Sequence, residues 1–155
     1  MLASLKVKDH MNGTKLTFTP DMDVLKAIHQ LIEFKISGAP VIDHHGNLIG
    51  FLSEKDCMQV ALNAAYQGES AGKVSEYMHH SVETIDYESS IIDVAEIFLQ
   101  KAFKCMPVIK ENRLVGSITR QNILKALQKT ANPESVKKPN SQQSTKQNIH
   151  VSSPN

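Results

Sequence analysis

The sequence holds no tryptophan, three tyrosines, five phenylalanines and two cysteines in 155 residues. Cys57 and Cys105 make neither a disulfide framework nor a spaced metal motif, which leads us to expect a reducing, cytoplasmic setting. Seventeen Lys and Arg against sixteen Asp and Glu leave a net charge of +1. No strong field therefore draws the chain to nucleic acid or anionic lipid. Apolar stretches such as Leu48-Ile49-Gly50-Phe51-Leu52 are far too short to cross a bilayer. Met1-Leu2-Ala3-Ser4-Leu5 runs into charged residues without a signal-peptide core. The chain is expected to bind neither membrane nor nucleic acid.

Catalytic signatures are missing too. There is no nucleophile elbow, no GxxxxGK[ST] loop and no paired-carboxylate site, so the reading is of a protein that is not an enzyme. Histidines fall at His10, His29, His44, His45, His79, His80 and His150, mostly in turns and leader segments. None shows the i, i+4 or Cys/His spacing of a preformed metal site, and they read as solvent-facing. No metal and no required cofactor are expected.

What is present is a repeat followed by a polar tail. Pro, Ser, Asn and Gln fill 15 of the last 25 positions, 131–155, where only four residues are apolar. Such a segment cannot bury enough surface to offset its ordering entropy and is expected to be disordered. Ahead of it, a shift of 67 positions carries Val7 onto Val74, Met11 onto Met78, Thr17 onto Thr84 and Pro40-Val41-Ile42 onto Pro107-Val108-Ile109. Val24, Ala27, Ile28, Leu31 and Ile32 fall on Ile91, Val94, Ala95, Phe98 and Leu99, both sets spaced as one buried helix face. After a one-residue deletion in the His44–Asn47 turn, Leu48-Ile49-Gly50 meets Leu114-Val115-Gly116 and Ser53 meets Thr119.

Each half parses as β-α-β-β-α, giving repeats at 5–66 and 74–130 and an α+β (α/β) fold. A short strand (Leu16 to Thr19; Val82 to Ile85) precedes a helix near Val24 to Phe34 or Ile91 to Lys101. Asp23 or Ser90 caps that helix. A strand opens at Pro40 or Pro107, a position that needs no ladder donor. A polar turn then leads to a return strand, Leu48 to Leu52 or Leu114 to Ile118, and to a second helix, about Glu54 to Ala65 or Arg120 to Lys129. A half of about 60 residues has a marginal core alone. The halves are therefore expected to pack sheet to sheet with pseudo-twofold symmetry, leaving two equivalent clefts suited to small ligands.

The doubled set resembles a pair of cystathionine β-synthase (CBS) domains, a Bateman module. The residues that carry the likeness are Val7…Met11 with Gly38-Ala39-Pro40-Val41-Ile42-Asp43 and Gly50-Phe51-Leu52-Ser53-Glu54-Lys55-Asp56. Their second copy is Val74…Met78 with Cys105-Met106-Pro107-Val108-Ile109 and Gly116-Ser117-Ile118-Thr119-Arg120-Gln121-Asn122. The likeness covers nearly all of residues 5–128. It implies binding of an adenosine-containing ligand (AMP, ADP, ATP or S-adenosylmethionine), regulation of an unknown protein partner by a conformational shift, and a homodimer. Ala61, Leu62, Ala65, Ile123, Ala126 and Leu127 are the apolar patches expected at the dimer contact.

On that resemblance, Asp56 would take the ribose and Ser53 the phosphate. Ile36, Ser37, Gly38, Ala39 and Pro40 would line the base slot, with Lys15, Leu16 and Thr17 as its opposite lip. Chemistry agrees, since a carboxylate accepts both ribose hydroxyls and a helix start favours a phosphate. Ser53-x-x-Asp56 reads equally as a helix capping box. The second copy keeps a hydroxyl at Thr119 but has Asn122, which accepts only through one carbonyl oxygen. Bulkier Phe103-Lys104-Cys105-Met106 stands where Ile36-Ser37-Gly38-Ala39 does in the first. Lys104 and Arg120 are candidate phosphate partners there, Arg120 reading also as a plain surface charge. One competent cleft and one weak cleft are expected. The alternative reading is a dimeric interaction scaffold with empty clefts.

Overall fold

The computed structural model describes residues 4–68 and 71–131. The polar tail beyond them, expected to be disordered, lies outside the described residues. The first half forms α1 (Val24–Phe34), β1 (Gly38–Ile42), β2 (Leu48–Ser53) and α2 (Glu54–Gln67). The second forms β3 (Ile85–Asp86), α3 (Ile91–Gln100), β4 (Cys105–Lys110), β5 (Arg113–Thr119) and α4 (Arg120–Ala131). Helix starts follow the sequence reading. Asp23 accepts the Leu25 N–H and Ser90 the Asp93 N–H, satisfying amides that a helix leaves without partners. No helix among the described residues is long and apolar enough to cross a membrane.

Antiparallel hairpins β1–β2 and β4–β5 have matching registers, Gly38 opposite Ser53 and Cys105 opposite Thr119. The strand expected ahead of each hairpin is shorter than its pattern suggests. In the second half β3 pairs in parallel with β4, and the Tyr87 N–H then donates to the Ile109 carbonyl. In the first half only a single parallel bridge forms, Phe18 opposite Val41. Pro20 stands where Tyr87 stands and has no N–H to extend the ladder.

Two buried clusters make the core, and neither is contiguous in sequence. Phe18, Val24, Ala27, Leu31, Val41, Leu52 and Val60 pack with Val74, which the second repeat's leader supplies. Ile91, Val94, Phe98, Val108 and Ile118 pack with Val7 from the first leader. Each leader is thus docked on the opposite half. Val7 N–H donates to Ser89 and Ile91 N–H to Leu5, while Val74 N–H donates to Met22. Burying one valine contributes roughly 1.5–3 kcal/mol, so the exchange ties each half's stability to the other's.

Glycine makes that docking possible. A Cβ on Gly116 would lie 2.3 Å from the Asn12 carbonyl oxygen, and one on Gly50 2.8 Å from that of His79. The hairpin tips also join, with Leu48 N–H donating to Asn112 and Leu114 N–H to Gly46. The apolar patch expected on α4 for a dimer is different in the structure. Ile123 and Ala126 belong to the core and Leu127 packs against it. The expected α2 members Ala61, Leu62 and Ala65 are exposed, together with Met58 and Tyr66 on α2, Leu124 on α4, Leu25, Ile32 and Phe34 on α1 and Leu99 on α3.

Candidate functional site

The β2-to-α2 junction is built as a reciprocal cap. Ser53 Oγ accepts the Asp56 N–H at 3.2 Å, while Asp56 Oδ2 accepts the Ser53 N–H at 2.8 Å and the Ser53 hydroxyl at 2.9 Å. The capping reading therefore holds, and the cap locks the Asp56 rotamer. Asp56 is 9% exposed. The preceding loop closes on the same junction, as the Glu54 N–H donates to the Ser37 carbonyl at 2.9 Å. Ser37 is exposed, Ile36, Gly38 and Pro40 are half-buried and Ala39 is buried. Gly38 lies beside the Phe51 ring, where a Cβ would come within 2.5 Å of Cε1.

The parallel bridge at Phe18 directs Lys15, Leu16 and Thr17 toward the Gly38 end of β1, the end where Ser53 closes β2. Topology thus gathers the three expected groups at one end of one sheet. Lys15 is exposed, and Leu16 and Thr17 are half-buried. These three line a cavity of about 740 Å³ whose other wall is Lys26 and Gln30 of α1, not Ile36–Ala39. Ser53 and Asp56 do not line it.

The second junction copies the frame. Thr119 Oγ1 accepts the Asn122 N–H at 3.2 Å, and Asn122 Oδ1 accepts the Thr119 N–H at 2.8 Å and its hydroxyl at 3.0 Å. Arg120 Nε donates to the Phe103 carbonyl at 3.0 Å, which ties this side chain to the loop ahead of β4. Lys104 is exposed. Burial pushes the Cys57 and Cys105 thiols up, Cys105 despite an opposing hydrogen bond with Ser117. Neither is a poised thiolate. Among the described residues no three His, Cys, Asp or Glu side chains converge to hold a metal ion.

Two residues at these junctions escaped the sequence reading. His79, read as solvent-facing, places Nε2 2.9 Å from Asp56 Oδ1 while its side chain stays 60% exposed. Asn12 takes the matching place in the second junction. It donates to Asn122 Oδ1 at 3.2 Å and accepts from Asn122 Nδ2 at 3.3 Å. The shift of 67 that aligns Asn12 with His79 was the available signal, because the partners Asn122 and Asp56 change together with them.

Comparison with known proteins adds a family and a fold. The CBS domain model matches residues 7–63 and again 74–129. An uncharacterized protein of Methanocaldococcus jannaschii is 26% identical over 121 residues, covering 78% of this chain and 42% of that protein. The A-adding tRNA nucleotidyltransferase of Aquifex aeolicus is 28% identical over 123 residues, covering 79% of this chain and 14% of the enzyme. The chain thus spans less than half the length of either relative. The crystal structure of CBSX2, a CBS-pair protein of Arabidopsis thaliana, in complex with AMP superposes with a TM-score of 0.71. It shares 26% identity, over 83% of this chain and 99% of that one.

Proposed function

The chain belongs to the CBS domain family, and on that premise we propose that it is a regulatory module which binds an adenosine-containing ligand at the first junction and makes no or breaks no covalent bond. The observation that carries the reading is a nearly buried carboxylate, Asp56, held in one rotamer beside Ser53 at a helix start. A ribose diol donates two hydrogen bonds, and of the two junction side chains only a carboxylate keeps a second oxygen, with two lone pairs, beyond the one its cap occupies. The α2 N-terminus, where Ser53 stands with its hydroxyl hydrogen committed to Asp56 Oδ2, offers a phosphate a favourable dipole. The likeness to the AMP complex of CBSX2 supports AMP as the first ligand to test. ADP, ATP and S-adenosylmethionine share the adenosine.

Crossed leaders suit transmission. A ligand at either junction acts on a segment that the other repeat supplies, and it shifts the halves only by its differential affinity for their arrangements. A homodimer and a regulated protein partner would read that shift. Exposed Met58, Leu62 and Tyr66 favour a second reading, an interaction scaffold that uses the α2 surface without a ligand.

Thermal shift with AMP, ADP, ATP and S-adenosylmethionine separates the two, because selective binding to the native state raises apparent stability. Stabilisation by at least one of them, abolished in a folded Asp56→Ala variant, upholds the sensor. No response at millimolar ligand upholds the scaffold.

A further inference from the structure

We propose that His79 is a gate over the first site, a side chain that must swing off Asp56 before a ribose diol can bind there; this rests on the nucleotide reading above. The argument is a count of acceptor positions. An ionised carboxylate offers about four. Asp56 Oδ2 already receives two donors, the N–H and hydroxyl of Ser53. His79 Nε2 stands 2.9 Å from Oδ1 and occupies one approach to it. One position is left, and a diol brings two donors. The Asp56 side chain is 8% exposed, so water does not offer a ready substitute route.

His79 is free to yield where Ser53 is not. Its side chain is 60% exposed, while its backbone is paired both ways with Phe51, at 2.9 and 3.0 Å. Side-chain rotation therefore opens Oδ1 with the leader still docked. Ser53 is bound into the cap and cannot leave without fraying α2.

The second junction shows the same contact without a gate. Asn122 Oδ1 has two lone pairs and faces three donors, two from Thr119 and one from Asn12. Its Nδ2 is used on the Asn12 oxygen. Rotating Asn12 away still leaves that carbonyl filled by Thr119. His79 thus controls access to an acceptor that only the first half possesses, and it discriminates ligands by whether they carry the diol.

The test is calorimetric titration of AMP and of 2′,3′-dideoxy-AMP into the wild-type chain, His79→Ala and His79→Asn, with thermal melts confirming that all are folded. Removing the competing donor should tighten AMP about threefold to tenfold, the range set by one exchanged hydrogen bond, and leave the dideoxy analogue unchanged. His79→Asn restores a donor of the kind Asn12 uses and should stay within about twofold of wild type. An equal effect of His79→Ala on both nucleotides, no effect, or weaker AMP binding overturns the gate while leaving the nucleotide site standing. Failure of AMP to bind wild type at millimolar concentration overturns the site reading and the gate with it.

Discussion

The β2–α2 and β5–α4 junctions share the same three cap hydrogen bonds but differ in the pair of side chains that meets at each. Asp56 with His79 stands in one, Asn122 with Asn12 in the other. The first pair carries a carboxylate and a titratable ring; the second is two neutral amides bonded reciprocally. A cap needs only one oxygen at this position and either residue supplies it. Ligand capture by a diol needs a second oxygen beyond the one the cap uses, so binding discriminates where helix stability does not. The leaders differ in the same spirit. Glu88 pairs with Lys6 at 3.0 Å and Lys8 at 3.1 Å to staple the first leader, whereas backbone pairing of His79 with Phe51 holds the second.

The shared backbone frame is the first thing to break. Gly116→Ala would place a methyl 2.3 Å from the Asn12 carbonyl oxygen, and the leader must retreat. Overpacking of this kind should cost about 3 kcal/mol in urea denaturation. Gly50→Ala meets the Met78 sulfur at 2.7 Å and the His79 oxygen at 2.8 Å, a softer clash that should cost about 1–2 kcal/mol. Wild-type stability in both would mean that the leaders are not docked this closely.

Removing the acids and amides comes next. Asp56→Ala strips the cap and the His79 contact and should lose about 1–2 kcal/mol, together with AMP binding. Asn122→Ala loses the equivalent cap, about 1 kcal/mol, and should leave AMP affinity as it was. Equal loss of AMP binding in both would erase the distinction between the junctions.

The comparison is sharpened by converting one side into the other. Asn12→His combined with Asn122→Asp gives the second junction the carboxylate and ring of the first. Calorimetry should then count two AMP sites per chain in place of one. A count that stays at one assigns closure to the bulk of Phe103-Lys104-Cys105-Met106 rather than to the amide pair.

The smallest effect concerns the leader staples. Hydrogen bonds from Lys6, then Lys8, hold the Glu88 carboxyl below its ordinary range. A lowered folded-state pKa stabilises above the unfolded value, and that contribution is lost as pH falls through the folded one. Both partners are solvent-exposed, so salt screens the pair. The urea midpoint of the wild type should therefore drop slightly more between pH 6 and the acid side of the carboxylate range (about pH 3) than that of Lys6→Ala/Lys8→Ala, and the difference should vanish in 1 M salt (Debye length about 3 Å). Identical midpoint shifts at low salt would show that the pairs do not hold the leader.

Much of this was legible beforehand. The duplication, the four long helices, both hairpins and the Asp23, Ser53 and Ser90 caps all leave marks within a few residues of themselves. Pro20 was legible too, although its consequence was overlooked: a missing donor at the one position that would have extended the first parallel ladder. Ile123 and Ala126 were misplaced on a dimer surface because α4 carries apolar residues on more than one face, and periodicity does not say which face the core takes. The expected lip at Lys15–Thr17 proved to share its cavity with α1, a neighbour that no spacing argument selects.

Helix and strand assignments rest on interactions between positions a few residues apart, where side-chain periods of 3.6 and 2 dictate which groups share a face, so the order of elements and the capped junctions could be written from the chain alone. Docking Val7 on the second half and Val74 on the first, and bringing position 79 against position 56, depends on which buried surfaces fit once all are present. That choice is made by packing over long sequence separations, and only the folded molecule records it.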